Sequence, residues 1–380
     1  VSGFGLYVHW PFCAAKCPYC DFNSHVRTSV DEDGWTNAIL RELSHVAELQ
    51  GTDRPVLQTI FFGGGTPSLM DARSVSCIIA AATNLWPCAN DLEITLEANP
   101  ASAEAARFAD YAKAGVNRLS LGVQALNDAD LRFLGRLHNV REAKAALALG
   151  IRMFRRVSLD LIYARPGQSL DAWRSELAEA LSFGTEHLSL YQLTIEPKTP
   201  FATLYKRGIL HLPGEELAAA FYETTQEIAT RAGLPAYEVS NHARPGCESR
   251  HNLLYWRYGT YAGVGPGAHG RLEVAGKRIA TVCERLPERW RERVARNGHG
   301  FTDVGEIDAS SAAREHLLMN LRLSEGIDLA AYRARWGCAP PPERIAALLA
   351  GGLVKLESGR LAATPRGMLV LNRVIEELAV

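Results

Sequence analysis

The chain has 380 residues, with 41 Lys and Arg against 42 Asp and Glu, a formal net charge of −1. It is 47% hydrophobic, 22% charged and 8% aromatic, an ordinary globular composition with ample material for a large core. A balance so close to zero argues against broad binding to phosphate backbones, so nucleic acid is not expected as a partner. No apolar run reaches the roughly 18 residues of a membrane-spanning helix. The start, Val1 to His9, has neither the basic region nor the apolar stretch of a signal peptide, and it does not begin with Met. Eight cysteines are too sparse for a secreted disulfide scaffold. A reducing, cytoplasmic location is expected.

The first half of the chain alternates apolar runs with amphipathic stretches. Strands are predicted at 6–9, 59–62, 92–96, 118–122, 156–162 and 187–193. Between them the spacing predicts helices over 35–49, 68–84, 103–114, 129–134 with 140–149, and 170–183. In the first of these Trp35, Ile39, Leu43, Val46 and Ala47 share one stripe. Each strand–helix–strand step takes about 30 residues, which suits βαβ units and a parallel sheet. Six strands fall short of the eight that close a full barrel. An open partial barrel is the natural candidate, although a doubly wound flat sheet has the same pattern.

The pattern changes near the breaker segment Glu196-Pro-Lys-Thr-Pro200. A helix is predicted over 215–232, stopping at Gly233, followed by a Gly- and aromatic-rich stretch over 237–270. A last segment has helices over 312–321 and 342–349, a hairpin over 353–363 turned at Ser358-Gly359, and a closing helix from Pro365. That order resembles a small winged-helix unit packed on the barrel. Lys355, Arg360 and Arg366 are too few charges for a phosphate-contact surface. Three parts follow: 1–200, 201–300 and 301–380.

Cys13, Cys17 and Cys20 lie in the segment Tyr7-Val-His-Trp-Pro-Phe-Cys13-Ala-Ala-Lys-Cys17-Pro-Tyr-Cys20-Asp-Phe22, just after the first strand. Three thiolates with spacing C-x3-C-x2-C can hold three irons of a cubane cluster. The fourth iron then keeps an open position for chemistry, by the logic of open metal sites. Structural zinc is the alternative, but it prefers two C-x2-C pairs and no second pair is present. Cys77, Cys88, Cys283 and Cys338 read as buried packing residues.

C-x3-C-x2-C after a first strand, in a six-fold βα chain, resembles the radical S-adenosylmethionine (SAM) superfamily. The resemblance implies a [4Fe-4S] cluster whose free iron chelates SAM and, on one-electron reduction, cleaves it to a 5′-deoxyadenosyl radical. An electron donor is implied with it. Phe62-Gly-Gly-Gly-Thr-Pro67, Ser120-Leu-Gly-Val-Gln124 with Arg136-Leu-His-Asn, and Ser158-Leu-Asp160-Leu-Ile-Tyr-Ala-Arg-Pro-Gly167 narrow it. Together they resemble the oxygen-independent coproporphyrinogen III oxidase family from about residue 5 to residue 375. Carried over motif by motif, the resemblance implies a SAM site. It comprises Tyr7, Tyr19 near adenine, the glycine-rich contact Gly64, Gly65 and Thr66, and the acidic Glu97. Gln124, Arg136 and Asp160 match positions that touch a second SAM in the oxidase. Each also has a structural reading: Glu97 and Asp160 as helix caps or partners of Arg118 or Arg156, and Gln124 as a backbone partner.

The oxidase pattern continues C-x3-C-x2-C-x-C, but here the last position is Phe22. The text around it, with His251-Asn-Leu-Leu-Tyr-Trp256 and Tyr261-Ala-Gly-Val-Gly-Pro-Gly-Ala-His269, resembles the haem chaperone branch of the family. There H-N-x-x-Y-W is associated with haem binding. The resemblance implies haem as cargo, His251 in its site and an acceptor protein. Neutral imidazole is a usual axial ligand to haem iron, and Tyr255 and Trp256 offer flat surface to a porphyrin. His242, His269 and Cys247 compete with His251, and Cys247 and His251 would share a face if this stretch were helical. A structural histidine tying the Gly-rich loop to the barrel is the plainer reading of His251. Cys17-Pro18 also looks like a haem-responsive pair, though its thiolate is wanted by the cluster. Anaerobic decarboxylation of coproporphyrinogen III is the alternative function. The sequence leaves a homodimer open.

Overall fold

Alternation in the first strand sets the plan of the molecule, described here by a computed structural model over residues 3–379. Val1, Ser2 and Val380 lie outside the described residues. In β1 (Phe4–Trp10), Phe4, Leu6, Val8 and Trp10 join the main hydrophobic core, while Gly5, Tyr7 and His9 point to the opposite face. After the short parallel pair β2 (Phe12–Cys13) and β3 (His25–Val26) come β4 (Leu57–Gly64), β5 (Cys88–Ala98), β6 (Arg118–Gln124), β7 (Arg156–Tyr163) and β8 (His187–Gln192). Strands β1, β4, β5, β6, β7 and β8 lie side by side in that order, all parallel. They are the six expected strands, each extended by a residue or more except β8. The fold is α/β.

The helices between strands cover the outer face. Glu32–Gln50 starts where the Asp31 carboxylate accepts a hydrogen bond from the Gly34 N–H, and it buries Trp35, Ile39, Leu43, Val46 and Ala47. Val140–Met153 opens with a capping box between Asn139 and Glu142. Ala72–Leu85 and Leu170–Ser182 complete the layer. Two predicted helices differ in detail. Pro67 opens a separate 3₁₀ turn, Pro67–Leu69, before the helix at Ala72. The 103–114 stretch divides into Ser102–Ala105 and Phe108–Ala114.

The sheet does not stop at six strands. Beyond β8, β9 (Asn241–Ala243) adds antiparallel. On the other side β10 (Thr260–Val264) pairs parallel with β1, and β11 (His269–Val274), β12 (Lys277–Cys283) and β13 (Phe301–Glu306) follow antiparallel. The result is an 11-stranded mixed sheet running from β13 to β9, an open partial barrel. A Cβ on Gly263 would lie 2.0 Å from the His269 carbonyl oxygen, so only glycine lets β10 and β11 approach this closely.

The final segment has its own core around Leu317, Leu321, Leu361, Val374 and Leu378. Helices Ala309–Asn320 and Pro342–Ala350 and the closing helices Pro365–Met368 and Leu371–Leu378 match the expected order. The small sheet has β14 (Ile327–Asp328), β15 (Val354–Glu357) and β16 (Arg360–Ala363) in the order β14-β16-β15. Ser358 and Gly359 turn the hairpin with φ of 50° and 79°. Helix Leu329–Trp336 and β14 were not expected.

One expectation about packing fails. Cys283 is buried as expected, but Cys77, Cys88 and Cys338 are exposed. Apolar character favours burial of a free cysteine, yet Cys77 and Cys88 sit on exposed faces of their helix and strand and Cys338 in the loop after Leu329–Trp336.

Candidate functional site

The same alternation that buries every second strand residue outside leaves a polar lumen inside. From β1 to β8 the inward row includes Tyr7, His9, Thr59, Glu93, Glu97, Arg118, Ser120, Asp160, His187 and Ser189, among partly or fully buried positions. Its floor is closed by buried polar groups that face one another, with Arg118 Nη2 left without a hydrogen-bond partner. Arg118 faces Glu93 at 3.9 Å, and His187 bridges Ser158 at 2.6 Å and the Tyr237 hydroxyl at 2.9 Å. The open end is where the strands' C-terminal ends and the following loops meet, the position where parallel α/β folds place their sites.

The three clustered cysteines lie at this end. Cys13 ends β2, and the Cys20 N–H donates to the Cys17 carbonyl at 3.2 Å, which makes the C-x2-C segment a tight turn. Cys13 is buried, whereas Cys17 and Cys20 are partly exposed. Donors are already aimed at two of the sulfurs: Thr66 Oγ1 at 3.3 Å from Cys13 Sγ and Arg136 Nη1 at 3.5 Å from Cys17 Sγ. Burial raises the Cys13 and Cys20 thiols; at Cys13 the Thr66 hydrogen bond and the Arg136 guanidinium oppose it, toward the thiolate that ligates metal. Among the described residues no three Cys, His, Asp or Glu side chains are grouped as ligands of a single ion. A cubane asks for less convergence than zinc, because each thiolate binds a different iron.

The glycine-rich strand end packs directly on this loop. The Gly65 N–H donates to the Trp10 carbonyl at 2.6 Å and the Thr66 N–H to the Phe12 carbonyl at 2.9 Å. A Cβ on Gly65 would lie 2.7 Å from the Phe12 carbonyl oxygen. Gly64 has φ 113°, and its N–H donates to Glu97 Oε2 at 3.2 Å. The expected Gly64, Gly65, Thr66 and Glu97 are therefore one contiguous surface next to Cys13. Arg136 joins it, donating to the Gly122 carbonyl at 2.8 Å and to the Asn99 carboxamide. Asn99 also reaches Thr66 Oγ1 at 3.3 Å. Gln124 ends β6 with φ 73°, its Oε1 buried without a partner. Tyr19 packs against Phe201, in a small cluster beside the cysteine turn.

Burial decides the charge states. It pushes the Glu97 carboxyl up to about 8, with the nearby Asp160 adding to the effect. Asp160 is raised to about 6 by burial, against hydrogen bonds from serines that include Ser120 and Ser158. The lumen thus holds two reluctant carboxylates, a setting that favours a cationic ligand. Neither carboxylate takes the arginine partner that the sequence allowed. Arg118 goes to Glu93, and Arg156 donates to the Gly246 carbonyl.

Sequence reasoning missed His9, Asn23 and Asn99. His9 Nε2 donates to the Asn23 carbonyl at 2.9 Å, which leaves Nδ1 to accept from the Tyr7 hydroxyl at 2.9 Å. Burial holds His9 down at about 4, so this neutral arrangement persists at pH 7. The Asn23 amide donates to the Pro266 and Arg285 carbonyls, each at 2.9 Å. Inward alternation in β1 points to His9, and Asn99 lies two residues after Glu97. Nothing local in the sequence marks Asn23.

The His251-Asn-Leu-Leu-Tyr-Trp256 motif forms the helix Arg250–Trp256. His251 is 2% exposed; its Nδ1 bonds Thr59 Oγ1 at 2.8 Å, its ring lies 4.9 Å from Phe61, and its Nε2 is buried without a partner. Cys247 precedes the helix in a turn, so the expected shared helical face with His251 does not form; Ser249 caps the helix too late. His242 is fully buried in β9. Tyr255 lines a cavity of about 480 Å³ with Tyr7, Gly64, Glu97, Tyr261 and His269. Trp256 is not on that wall; Arg322 lies over its ring at 6.0 Å.

Comparisons with known proteins agree with this geometry. The family model "Radical SAM superfamily" matches residues 7–179, and "HemN C-terminal domain" matches 307–370. The chain is 37% identical to Heme chaperone HemW of Escherichia coli (strain K12), over 98% of this chain and 97% of that protein. It is also 37% identical to "Radical S-adenosyl methionine domain-containing protein 1, mitochondrial" of Mus musculus, over 97% of this chain and 86% of the relative. Heme chaperone HemW of Bacillus subtilis (strain 168) matches at 34%, over 97% of each chain. In fold, the chain is similar to coproporphyrinogen III oxidase (HemN) from Escherichia coli, with TM-score 0.83, 20% identity, and coverage of 100% of this chain and 90% of that one. No helix among the described residues is long and apolar enough to cross a membrane.

Proposed function

Because the chain belongs to the radical SAM family that contains the HemW heme chaperones, we propose that it binds haem and passes it to an acceptor protein. The observation that supports this reading most is the cavity that joins the SAM-side residues Tyr7, Gly64 and Glu97 to Tyr255 of the H-N-x-x-Y-W helix. A porphyrin site and a SAM site that share one wall suit a carrier whose cargo and cofactor communicate.

In this reading Cys13, Cys17 and Cys20 hold a [4Fe-4S] cluster, with Thr66 and Arg136 donating to the sulfurs. When bound and reduced, the cluster supplies one electron and an open iron position to SAM. Glu97 would accept a hydrogen bond from the SAM amino group, Gly64 and Gly65 would let the ligand approach the backbone, and Tyr7 and Tyr19 would flank it. Gln124, Arg136 and Asp160 extend the polar wall deeper along β6 and β7. His251 belongs to the haem site through its helix. Residues 1–200 carry the SAM site, 201–300 the haem segment, and 301–380 a winged-helix-like unit packed on them. A reducing, cytoplasmic location belongs to the same reading, since eight cysteines are too sparse for a secreted disulfide scaffold. An electron donor and a homodimer complete the proposed set of partners.

Phe22, where the oxidase pattern has a further cysteine, is 59% exposed and lines the cavity. An anaerobic paired assay on cluster-reconstituted protein, with SAM and a reductant, tests the proposal. One arm titrates haem and follows absorption; the other supplies coproporphyrinogen III and looks for decarboxylated product. Stoichiometric haem binding without turnover is expected. Turnover of coproporphyrinogen would instead establish the oxidase.

A further inference from the structure

Resting on the haem-carrier reading, we propose that the mouth of the 480 Å³ cavity is the haem seat, with His269 as the accessible iron ligand and Arg285 as the partner of a propionate. Three observations carry this. First, the two histidines that compete for the iron differ in access. His251 is 2% exposed, and its Nδ1 is engaged by Thr59. Its ring meets Tyr255 edge-on at 4.7 Å and faces Tyr7 at 6.5 Å, and both of these line the cavity while His251 does not. His269, the first residue of β11, is exposed on the cavity wall and bonds no side chain among the described residues. Second, the exposed Arg285 on the same wall has no ion-pair partner among the described residues. A guanidinium in that state matches a carboxylate arriving with the ligand. Third, the surrounding wall is aromatic: Phe22, Tyr255 and Tyr261, the last two with ring centroids 4.1 Å apart. Flat apolar rings with one imidazole and one guanidinium are what an amphiphilic metalloporphyrin dicarboxylate requires.

The wall is held rather than free. Asn23 donates to the carbonyls of Pro266 and Arg285, and a Cβ on Gly267 would lie 2.5 Å from the Asn23 amide nitrogen. The segment that carries His269 and Arg285 is thereby pinned to the loop three residues past Cys20. Burial, with Arg271 and Arg285 nearby, lowers His269, so its imidazole is neutral and free to bind iron at pH 7. A haem seated here is enclosed on its inner edge and open on its outer one, which suits a cargo that must leave.

Hemin is titrated into full-length, cluster-reconstituted wild type, His269→Ala, Arg285→Gln and His251→Ala, with absorption spectra and thermal melts for each. His269→Ala is expected to change the Soret band and weaken binding about tenfold or more, with added imidazole restoring the spectrum. Arg285→Gln is expected to weaken hemin about tenfold and to leave hemin dimethyl ester unchanged, since the ester has no carboxylate to pair. His251→Ala is expected to lower affinity while keeping the wild-type band position, through loosening of Tyr255. If wild type binds hemin and His269→Ala keeps its spectrum and affinity, the seat is elsewhere and the carrier reading stands. If wild type binds no hemin at all, the carrier reading itself falls.

Discussion

At the scale of single residues, the informative groups are those whose charge the fold makes costly. Glu97 carries its proton up to about 8 in the folded chain, against 4.5 ordinarily, chiefly because it is buried. Between those values the folded chain holds a proton that the unfolded chain has released. Its contribution to stability therefore falls as pH rises through that window. Glu97→Gln is expected to raise the melting temperature relative to wild type at pH 8, by at least about 2 °C, and to have little effect near pH 4.5. The same variant is expected to weaken SAM binding about tenfold, measured by equilibrium titration at pH 8, because the amino group loses its anionic hydrogen-bond acceptor. An equal melting temperature at both pH values would show that Glu97 is not a source of stored strain. Cys17→Ser is expected to abolish the cluster's absorption while hemin binding survives, since the His269 wall meets the cysteine loop at Phe22 and Asn23, beyond the last cysteine. Loss of hemin binding in a normally folded variant would mean that the two sites are one.

Elements matter here through how closely their backbones approach. The turn after β4 sits against Pro11 and Phe12, and Gly65 has no room for a methyl group: its Cβ would meet backbone atoms at 2.7 and 2.9 Å. Backbone cannot rotate aside as a long side chain does. Gly65→Ala is expected to cost about 1–3 kcal/mol in denaturant unfolding and to displace Thr66 from Cys13. A variant with wild-type stability and an unchanged cluster spectrum would show that the turn can relax. The helices followed their sequence patterns because each carries one apolar stripe and local caps. The short Leu329–Trp336 was missed because it shows little amphipathic pattern, burying only Tyr332 fully. The breaks near Pro67 and Arg107 were missed because a helix pattern does not register a turn of tighter pitch.

For the whole molecule, one buried carboxylate joins parts far apart in sequence. Glu42, on Glu32–Gln50, accepts from the Gly265 N–H at 2.7 Å, the Gly300 N–H at 2.6 Å and the Trp290 indole at 3.1 Å. Trp290 in turn stacks on Trp35 at 5.6 Å. The added strands β10 to β13 are thus locked to the first helix of the barrel, and with them the wall that carries His269. Glu42→Leu leaves two backbone N–H groups and an indole without an acceptor. A loss of about 2–5 kcal/mol is expected by chemical denaturation; a loss under 1 kcal/mol would mean that water replaces the carboxylate.

The sequence by itself determined the six strands, their intervening helices and the three cysteines, because period and spacing are local properties of the chain. Gly64, Gly65, Thr66 and Glu97 came from the family resemblance of short strings at strand ends. What only the tertiary structure decided depends on pairings across hundreds of residues. The bond of β10 to β1 turned a Gly-rich stretch into a sheet extension, and set His269 and Arg285 beside Tyr7 and Glu97. The fold also buried His251 against Tyr255 and exposed three cysteines that their chemistry alone would have buried. A side chain's accessibility is set by whatever packs over it, and no local pattern records that.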